Sequence, residues 1–515
     1  MSSGTESPPI EVIIGLDVGT TSTKVVGFGL RSAWRHIVVR ESTTLQPVTG
    51  WQVQDPDAII AGVLDALAEC VTHAGDAKVA AISVSAAMHG LIGLDANLQP
   101  LTPLITWADA RSRDEARMLC DTGRATALHS RSGTPVHPMS PLTKLMWFSR
   151  NEPDLCNQIR WWVGLKDYIL WSLTGTLATE LSSASGTGML DLERRQWSPV
   201  AMDLAKVSPD QLPPILATTT ALGLSRNAGG RVGLPNGTPV VVGAGDGPLG
   251  NLGTGALTPG VAGLSLGTSG AVRVVVPKPV VDSDGRLFCY ALTEDHWVLG
   301  GAVSNGGAVV RWAQGVFASD LKTADSAAAD AELLELGANV PAGSDGLLML
   351  PYLLAERSPL WDPDLRGAFL GLNHSHTRGH FVRAAVEGVA LQLSAVVDQL
   401  NRIEPVTSVR ATGGVFRSEL WRQVVAAALA RPFQVTGGAD GSALGAAALG
   451  LYGLGRARTL QAALRLLTPS EDHFAPIETS PADRAVYDRM RTRVPELLRS
   501  YDQVALLFQA VTPNG

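Results

Sequence analysis

Asp17, Thr20, Thr21, Ser22 and Lys24 lie close together in Gly15-Leu16-Asp17-Val18-Gly19-Thr20-Thr21-Ser22-Thr23-Lys24, and together they carry the groups that grip a phosphate. Glycine lets the backbone turn tightly and approach a ligand. Consecutive hydroxyls and turn amides supply the donors that phosphate oxygens need. Asp17, at the end of the apolar run Val12-Ile13-Ile14, is placed to hold Mg²⁺ directly or through water. A polar hairpin turn has the same composition, so the stretch taken alone reads either way. It is no Walker A loop, because the spacing is absent and a strand follows at Val25, not a helix.

A second carboxylate stands in a comparable setting. The apolar strand Pro239 to Gly243 empties into Ala244-Gly245-Asp246-Gly247-Pro248, where flanking glycines let a substrate come close. Asp246 can serve there as a general base, or it can cap a helix that begins near Pro248. Met88 and His89 follow the buried strand Val79 to Ser85, on the carboxyl edge where open α/β sheets place their ligands. A lone histidine is more often a satisfied structural group, so His89 gains weight from that position. Two long irregular segments add candidates: Ile105-Thr106-Trp107-Ala108-Asp109-Ala110-Arg111 and Thr134-Pro135-Val136-His137-Pro138-Met139-Ser140-Pro141.

The elements that must position these groups are legible from periodicity. The opening hairpin and the segment Arg35 to Arg40 read as three antiparallel strands. Asp55 caps a helix with Pro56 at its first position, Ile60, Val63, Leu64, Leu67 and Val71 at helical spacing, and Gly75 at its end. Leu155 to Leu173 reads as one helix carrying Trp161, Trp162 and Trp171. Val382 to Leu400 reads as a long helix with one buried face. Val409 to Thr412 is a strand ending in Gly413-Gly414, followed by a helix over Glu419 to Leu429. Asp440 to Gly450 is a close-packed helix of small residues, and two amphipathic helices split by Pro495 close the chain.

The opening pattern recurs. Leu264-Ser265-Leu266-Gly267-Thr268-Ser269, with the strand Val272 to Val276 behind it, repeats Leu16-Asp17-Val18-Gly19-Thr20-Thr21 and its following strand. Two related domains with facing phosphate grips are therefore expected. Asp17 of the first copy is Ser265 in the second, so the first alone supplies a metal-side carboxylate.

Length and composition set the frame. A chain of 515 residues is too long for a single core, so two large domains are expected. The net charge of -7, without any Lys/Arg cluster, argues against nucleic acid as the main partner. Cys70, Cys120, Cys156 and Cys289 show no pairing pattern and fit free thiols in a reducing compartment. Residues 1–10 read as a short disordered lead, neither signal peptide nor anchor. No run reaches the roughly 18 apolar residues of a membrane helix, so the expected location is the cytoplasm.

Two halves that each open on a strand and a Gly-Thr hairpin resemble the actin, hexokinase and heat-shock ATPase fold of the ribonuclease H-like superfamily. Asp17 to Lys24, Met88-His89, Gly245-Asp246, Gly267-Thr268-Ser269 and Gly413-Gly414-Val415-Phe416-Arg417-Ser418 occur in the order of the FGGY carbohydrate kinases, from about Val12 to Leu454. Within that family, Ser85 to Gly90, Ile105 to Asp109 with Arg111, and His137 to Pro141 are most similar to gluconate kinases, with xylulose kinases second.

The resemblance implies an α/β fold of two related ribonuclease H-like domains around a central cleft. The first, over residues 11–254, would carry the sugar pocket and catalytic Asp246; the second, over 255–515, would bind nucleotide and end in the C-terminal helices. The cofactors implied are ATP and Mg²⁺, with Asp17 on the metal. Thr20, Thr21, Ser22, Lys24, Gly267, Thr268, Gly307, Arg311, Gly413, Gly414 and Ser418 match ATP contacts. Arg311 stands where some relatives carry Gln, and a solvated helix position is the other reading. Met88, His89, Trp107, Asp109, Met139, Asp246 and Gly247 match the substrate side.

The activity implied is transfer of the γ-phosphoryl of ATP to D-gluconate, with D-xylulose or another pentulose or polyol as the alternative. Gluconate also brings a carboxylate, for which Arg111, Lys144, Lys166 and Arg357 are candidate partners. The partner implied is a small sugar or sugar acid; a homodimer is the assembly to test. A rival of another class is a non-catalytic, nucleotide-switched module like the heat-shock ATPase domain or actin, which has no use for a sugar pocket.

Overall fold

The computed structural model describes residues 10–317, 320, 326–354, 356–362, 364–436, 441–468 and 476–509. Most of the expected polar lead, and Asp440 at the start of the small-residue helix, lie outside the described residues.

The chain groups into two compact units. One comprises Met1–Leu257, Val275–Leu299 and Asp440–Asp472; the other comprises Thr258–Val274, Gly300–Ala439 and His473–Gly515.

The first unit is built on a six-stranded sheet of β1 (Glu11–Val18), β2 (Ser22–Gly29), β3 (Arg35–Glu41), β4 (Lys78–Ala86), β5 (Ala221–Gly223) and β6 (Pro239–Gly245), in the order β5-β6-β4-β1-β2-β3. β1, β2 and β3 form an antiparallel meander. β4 pairs parallel with β1, and β6 parallel with β4. The centre of β1 is buried throughout, as its unbroken apolar run requires of a strand covered on both faces. The helix Pro56–Ala74 covers one face. Its N-cap Asp55 accepts from the amides of Asp57 and Ala58, and Val63, Leu64 and Leu67 are buried with Ile14, Val25 and Val84. The helix Gly441–Gly453 lies on β1 itself: a Cβ at Gly15 would stand 2.1 Å from the Ala443 carbonyl oxygen. Only small residues permit so close an approach, which is why that helix reads Gly-Ser-Ala-Leu-Gly-Ala-Ala-Ala.

A second six-stranded sheet consists of β7 (Val261–Leu266), β8 (Gly270–Val276), β9 (Phe288–Thr293), β10 (His296–Val303), β11 (Ser408–Thr412) and β12 (Phe433–Val435), in the order β9-β10-β8-β7-β11-β12. β7 and β8 form an antiparallel hairpin, and β11 runs parallel beside β7. The central arrangement is shared: an antiparallel hairpin with a parallel strand beside its first strand, β2-β1-β4 in one sheet and β8-β7-β11 in the other, so the repeat read from two short motifs extends to the centre of both sheets.

Among the described residues, Arg378–Leu400 alone is long and apolar enough to cross a membrane, and 83% of that window is buried inside the protein. Val386, Val389, Ala390 and Leu393 make it a core helix.

Two expected helices differ. Leu155 to Leu173 is not continuous: Pro153–Cys156 and Leu165–Thr174 are helical, while Trp161–Val163 is a strand. Trp161, Trp162 and Val163 pair across to Leu94, Gly93 and Ile92. Bulky and β-branched side chains suit that pairing, and Gly164 then starts the next helix. Conversely, Pro495 does not split the C-terminal segment, because Pro481–Gln509 is one helix. The proline removes one backbone donor, but Leu497, Leu498 and Tyr501 beyond it pack on Leu350, Tyr352 and Leu365, so tertiary burial carries the helix through.

Candidate active site

In the first unit the strand register brings three sequence-distant candidates to one edge. Val18 of β1 pairs with Ala86 of β4, and Ala86 pairs with Gly245 of β6. Asp17, the Met88-His89 turn and Asp246 therefore emerge at the same carboxyl end of three adjacent parallel strands. Two strand spacings, roughly 10 Å, separate the backbones that carry the two carboxylates.

Asp17 pairs with Lys24 across the hairpin and accepts the Ser85 hydroxyl at 2.7 Å. The turn closes by the Gly19 amide donating to Ser22 (2.9 Å), which leaves Thr21 exposed and Thr20 and Ser22 half-buried. Thr20 is held from two sides. The Trp107 indole donates to its Oγ1 at 2.9 Å, and Gln54 Nε2 to its carbonyl at 2.6 Å. Trp107, expected on the substrate side, thus touches an expected phosphate contact. Asp17 with its hydroxyl neighbours is a set of hard oxygen donors, and Mg²⁺ is commonly bound through one or two carboxylates plus substrate phosphates. The residues fit that ion.

Met88 is buried between Gly186 and Gly245. A Cβ on either glycine would come within 2.5 Å of the methionine side chain. The small-residue run from Ser182 to Gly188 thereby makes room for the candidate pocket floor. His89 adopts a left-handed backbone (φ 66), which costs a non-glycine residue about 1–3 kcal/mol. Its Nδ1 bonds the Gly186 carbonyl at 2.7 Å, and its ring meets Tyr290 edge to face at 5.6 Å. Tyr290 sits on β9, and no signal in the sequence ties it to His89.

Asp246 is the first residue of the helix Asp246–Gly253, with Gly245 as N-cap. Its Oδ1 accepts the Gly247 amide at 2.8 Å, and Ser442 donates to its carbonyl at 3.2 Å. The carboxylate at a helix N-terminus is favoured by the unsatisfied amides there.

The cationic candidates have settled partners. Asp109 and Arg111 form a buried ion pair at 2.8 Å, with side chains 0% and 3% exposed. Asp109 also accepts the Gln52 amide, and Arg111 stacks on Trp51 with 3.8 Å to the ring centroid. That clamp organises the loop. Lys166 pairs with Glu180 and donates to the Val242 carbonyl. Arg357, in the second unit, donates to Ser304 and to the Val303 carbonyl. Lys144 donates to the carbonyls of His89 and Thr106, both at 2.7 Å, joining the Met88-His89 turn to the Trp107 segment. Burial pushes its amine down to about 7. Met139 is buried, and its amide donates to His137 Nδ1 at 3.2 Å, ahead of the helix Pro141–Asn151.

The second unit gathers the remaining candidates around a cavity of about 750 Å³, lined by Gly267, Thr268, Gly307, Arg311, Gly414 and Ser418 among others. Its size lies in the range of ligand pockets. The Gly306 amide donates to the Thr268 carbonyl (3.1 Å) and the Gly307 amide to the Gly267 carbonyl (2.7 Å). A Cβ on either glycine would stand 2.9 Å from the Gly267 oxygen, so both must be glycine. Arg311 Nη2 reaches Thr268 Oγ1 at 3.5 Å. Gly413 lies behind the lining at φ 132, and its Cβ would meet the Leu266 carbonyl oxygen at 1.9 Å. Sequence reasoning missed the wall formed by Asp330, Leu334 and Glu335 of the helix Ser326–Ala338.

The N-terminal domain of the FGGY family of carbohydrate kinases matches residues 12–253, and its C-terminal domain matches residues 262–454. The gluconokinase of Bacillus subtilis (strain 168) is 38% identical over 96% of this chain and 97% of that protein. The crystal structure of gluconate kinase from Lactobacillus acidophilus superposes with a TM-score of 0.88 at 31% identity, covering 98% of this chain and 100% of that one. Ligand-bound xylulose kinase from the same organism superposes with a TM-score of 0.89 at 31% identity, covering 97% and 100%. With both domains matched and both hairpins built alike, the chain belongs to the FGGY family of carbohydrate kinases and is a sugar kinase.

Proposed function

We propose that this enzyme phosphorylates D-gluconate to 6-phospho-D-gluconate with Mg²⁺ and ATP. The observation that carries the choice of substrate is the 38% identity to a gluconokinase across almost the whole of both chains, against 28% and 31% for the xylulose kinases of Staphylococcus epidermidis and Klebsiella pneumoniae. Residues 11–254 would act as the sugar domain and 255–515 as the nucleotide domain. Free cysteines fit the reducing cytoplasm as its location.

In this reading Asp246 accepts the proton of the attacking hydroxyl as that oxygen bonds to the γ-phosphorus and the bond to the ADP oxygen breaks. Most of the acceleration in phosphoryl transfer comes from alignment and charge neutralisation. Met88, His89, Trp107, Asp109 and Met139 would define the sugar pocket, directly or by holding its walls, with Gly247 allowing close approach. Thr20, Thr21, Ser22, Lys24, Gly267 and Thr268 would hold phosphates, and Gly307, Arg311, Gly413, Gly414 and Ser418 would form or support the nucleoside cavity. Mg²⁺ on Asp17 would supply charge neutralisation.

The test is a coupled assay of ADP release with gluconate, xylulose, ribulose and glycerol. Gluconate should give the highest kcat/KM. A higher value with xylulose assigns the alternative substrate, which the closely superposing xylulose kinase supports. Failure of the whole panel overturns gluconate and points to another sugar or polyol as the substrate.

A further inference from the structure

β3 is the edge strand of the first sheet. Its alternation sends His36, Val38 and Arg40 toward the helix Pro56–Ala74. On that helix Asp65, Glu69 and His73 follow at intervals of four residues, so they stand in one row. The two rows meet side by side. Arg40 pairs with Asp65 at 2.6 Å and with Glu69, and His36 stacks on His73 with ring centroids 3.9 Å apart. The arginine end is an ordinary surface ion pair. At the other end two imidazoles and a carboxylate converge.

We propose that His36, Glu69 and His73 bind a divalent transition metal of the zinc class.

Their ligand atoms all lie within 4.8 Å of one another. Donors in a tetrahedral zinc site stand roughly 3.4 Å apart, given bonds of 2.0–2.1 Å. Side-chain rotation at a partly exposed surface closes that difference. His73 Nδ1 lies 2.9 Å from the Glu69 carbonyl oxygen; with Nδ1 as the donor there, the lone pair on Nε2 is available to an ion. His36 Nε2 is buried and has no hydrogen-bond partner among the described residues, a cost that coordination removes. Arg40 takes Oε2 of Glu69, so Oε1 is the oxygen offered to an ion.

Two imidazoles and one carboxylate form a His₂Glu set with a fourth position for water. Imidazole suits Zn²⁺, Cu²⁺ or Ni²⁺, whereas Mg²⁺ takes oxygen ligands, so the ion differs from the one proposed for Asp17. The place differs too. His36 pairs with Gly27, whereas Asp17 pairs with Lys24, three residues or roughly 10 Å away along the hairpin. A bound ion would staple the edge strand to the helix and favour the native state.

The experiment uses the full chain, stripped with EDTA and desalted, in equilibrium dialysis against ZnCl₂ without nucleotide, with melting curves and Co²⁺ absorption spectra alongside. One equivalent of Zn²⁺ should bind, raise Tm and resist millimolar Mg²⁺, and Co²⁺ should show a visible band of low coordination number. His73→Ala and His36→Gln should each weaken binding at least about tenfold and abolish the Tm rise, and Glu69→Gln should weaken it less. Since His73 is exposed, an unchanged melt of His73→Ala in EDTA controls for folding. No saturable equivalent in the wild type overturns the proposal. So does equal binding by the His73 variant, or a signal lost with Cys120→Ser instead.

Discussion

The two hairpins share a backbone plan and differ in the charge they present. In the first, Asp17 accepts the hydroxyl of Ser85; in the second, the equivalent Ser265 accepts from Arg273 at 3.0 Å. A carboxylate beside a hydroxyl attracts a cation, whereas a hydroxyl beside a guanidinium attracts an anion. The two turns thus differ in local charge through one side chain and its neighbour. In each unit a glycine also lies against a neighbouring strand, Gly243 against β4 and Gly413 against β7. Gly243, at φ 73, would place a Cβ 1.7 Å from the Val84 oxygen, and Gly413 would place one 1.9 Å from the Leu266 oxygen. Both units bring a backbone against the strand that leads to the site, and only glycine allows it.

The sharpest way to break this division is at Asp246, the proposed proton acceptor, which lies in the first unit. Asp246→Asn should lower turnover by about 10² to 10⁴ while nucleotide binding, measured by calorimetry, stays near wild type. Normal turnover would sink the base assignment. The next effect concerns the supporting backbone. Gly413→Ala should destabilise the protein by about 3 kcal/mol or more in urea unfolding, because strain and a backbone clash coincide. Gly267→Ala has nothing within 4 Å of its added Cβ, so its stability should stay within about 1 kcal/mol. Similar costs at both positions would contradict the close approach at Gly413.

Exchanging the distinguishing residue tests the charge contrast directly. Asp17→Ser should raise the Mg²⁺ concentration for half-maximal rate by about 10- to 100-fold, and Ser265→Asp should leave it unchanged. An equal response of both hairpins would erase the proposed asymmetry.

Lys144 offers a pH test within the first unit. Its amine is near 7 in the folded protein and 10.5 in the unfolded chain. Below pH 7 both states are protonated and the burial cost is constant. Between pH 7 and 10.5 the unfolded chain holds the additional proton, so this group's contribution to stability rises with pH. The stability of wild type relative to Lys144→Met should therefore increase from pH 7 to pH 9 in urea unfolding, and a flat difference would argue against the depressed amine. The smallest effect is expected at Trp107→Phe. Losing the indole donor to Thr20 should cost about 0.5–1.5 kcal/mol of ATP binding, seen as a several-fold rise in KM for ATP, with KM for sugar changing less.

The legible parts of this molecule were those in which local chemistry and backbone geometry coincide. The helix at Pro56 carried its own cap, proline and apolar spacing; both hairpins carried glycine and hydroxyls between apolar runs. Trp161 and Trp162 misled because short apolar runs suit helix and strand alike, and the cross-strand partner Ile92–Leu94 is remote in sequence. Pro495 misled because its local cost is outweighed by distant packing at Leu350, Tyr352 and Leu365.

The candidate carboxylates, the two Gly-Thr turns and their difference at Asp17 and Ser265 are legible in the chain alone, because each is written in a few adjacent residues. Folding settles what no short stretch encodes: Val18, Ala86 and Gly245 share a row, Asp109 is committed to Arg111, and Trp107 holds Thr20. The physical reason is that register and burial depend on partners dozens to hundreds of residues away, which local propensity does not encode.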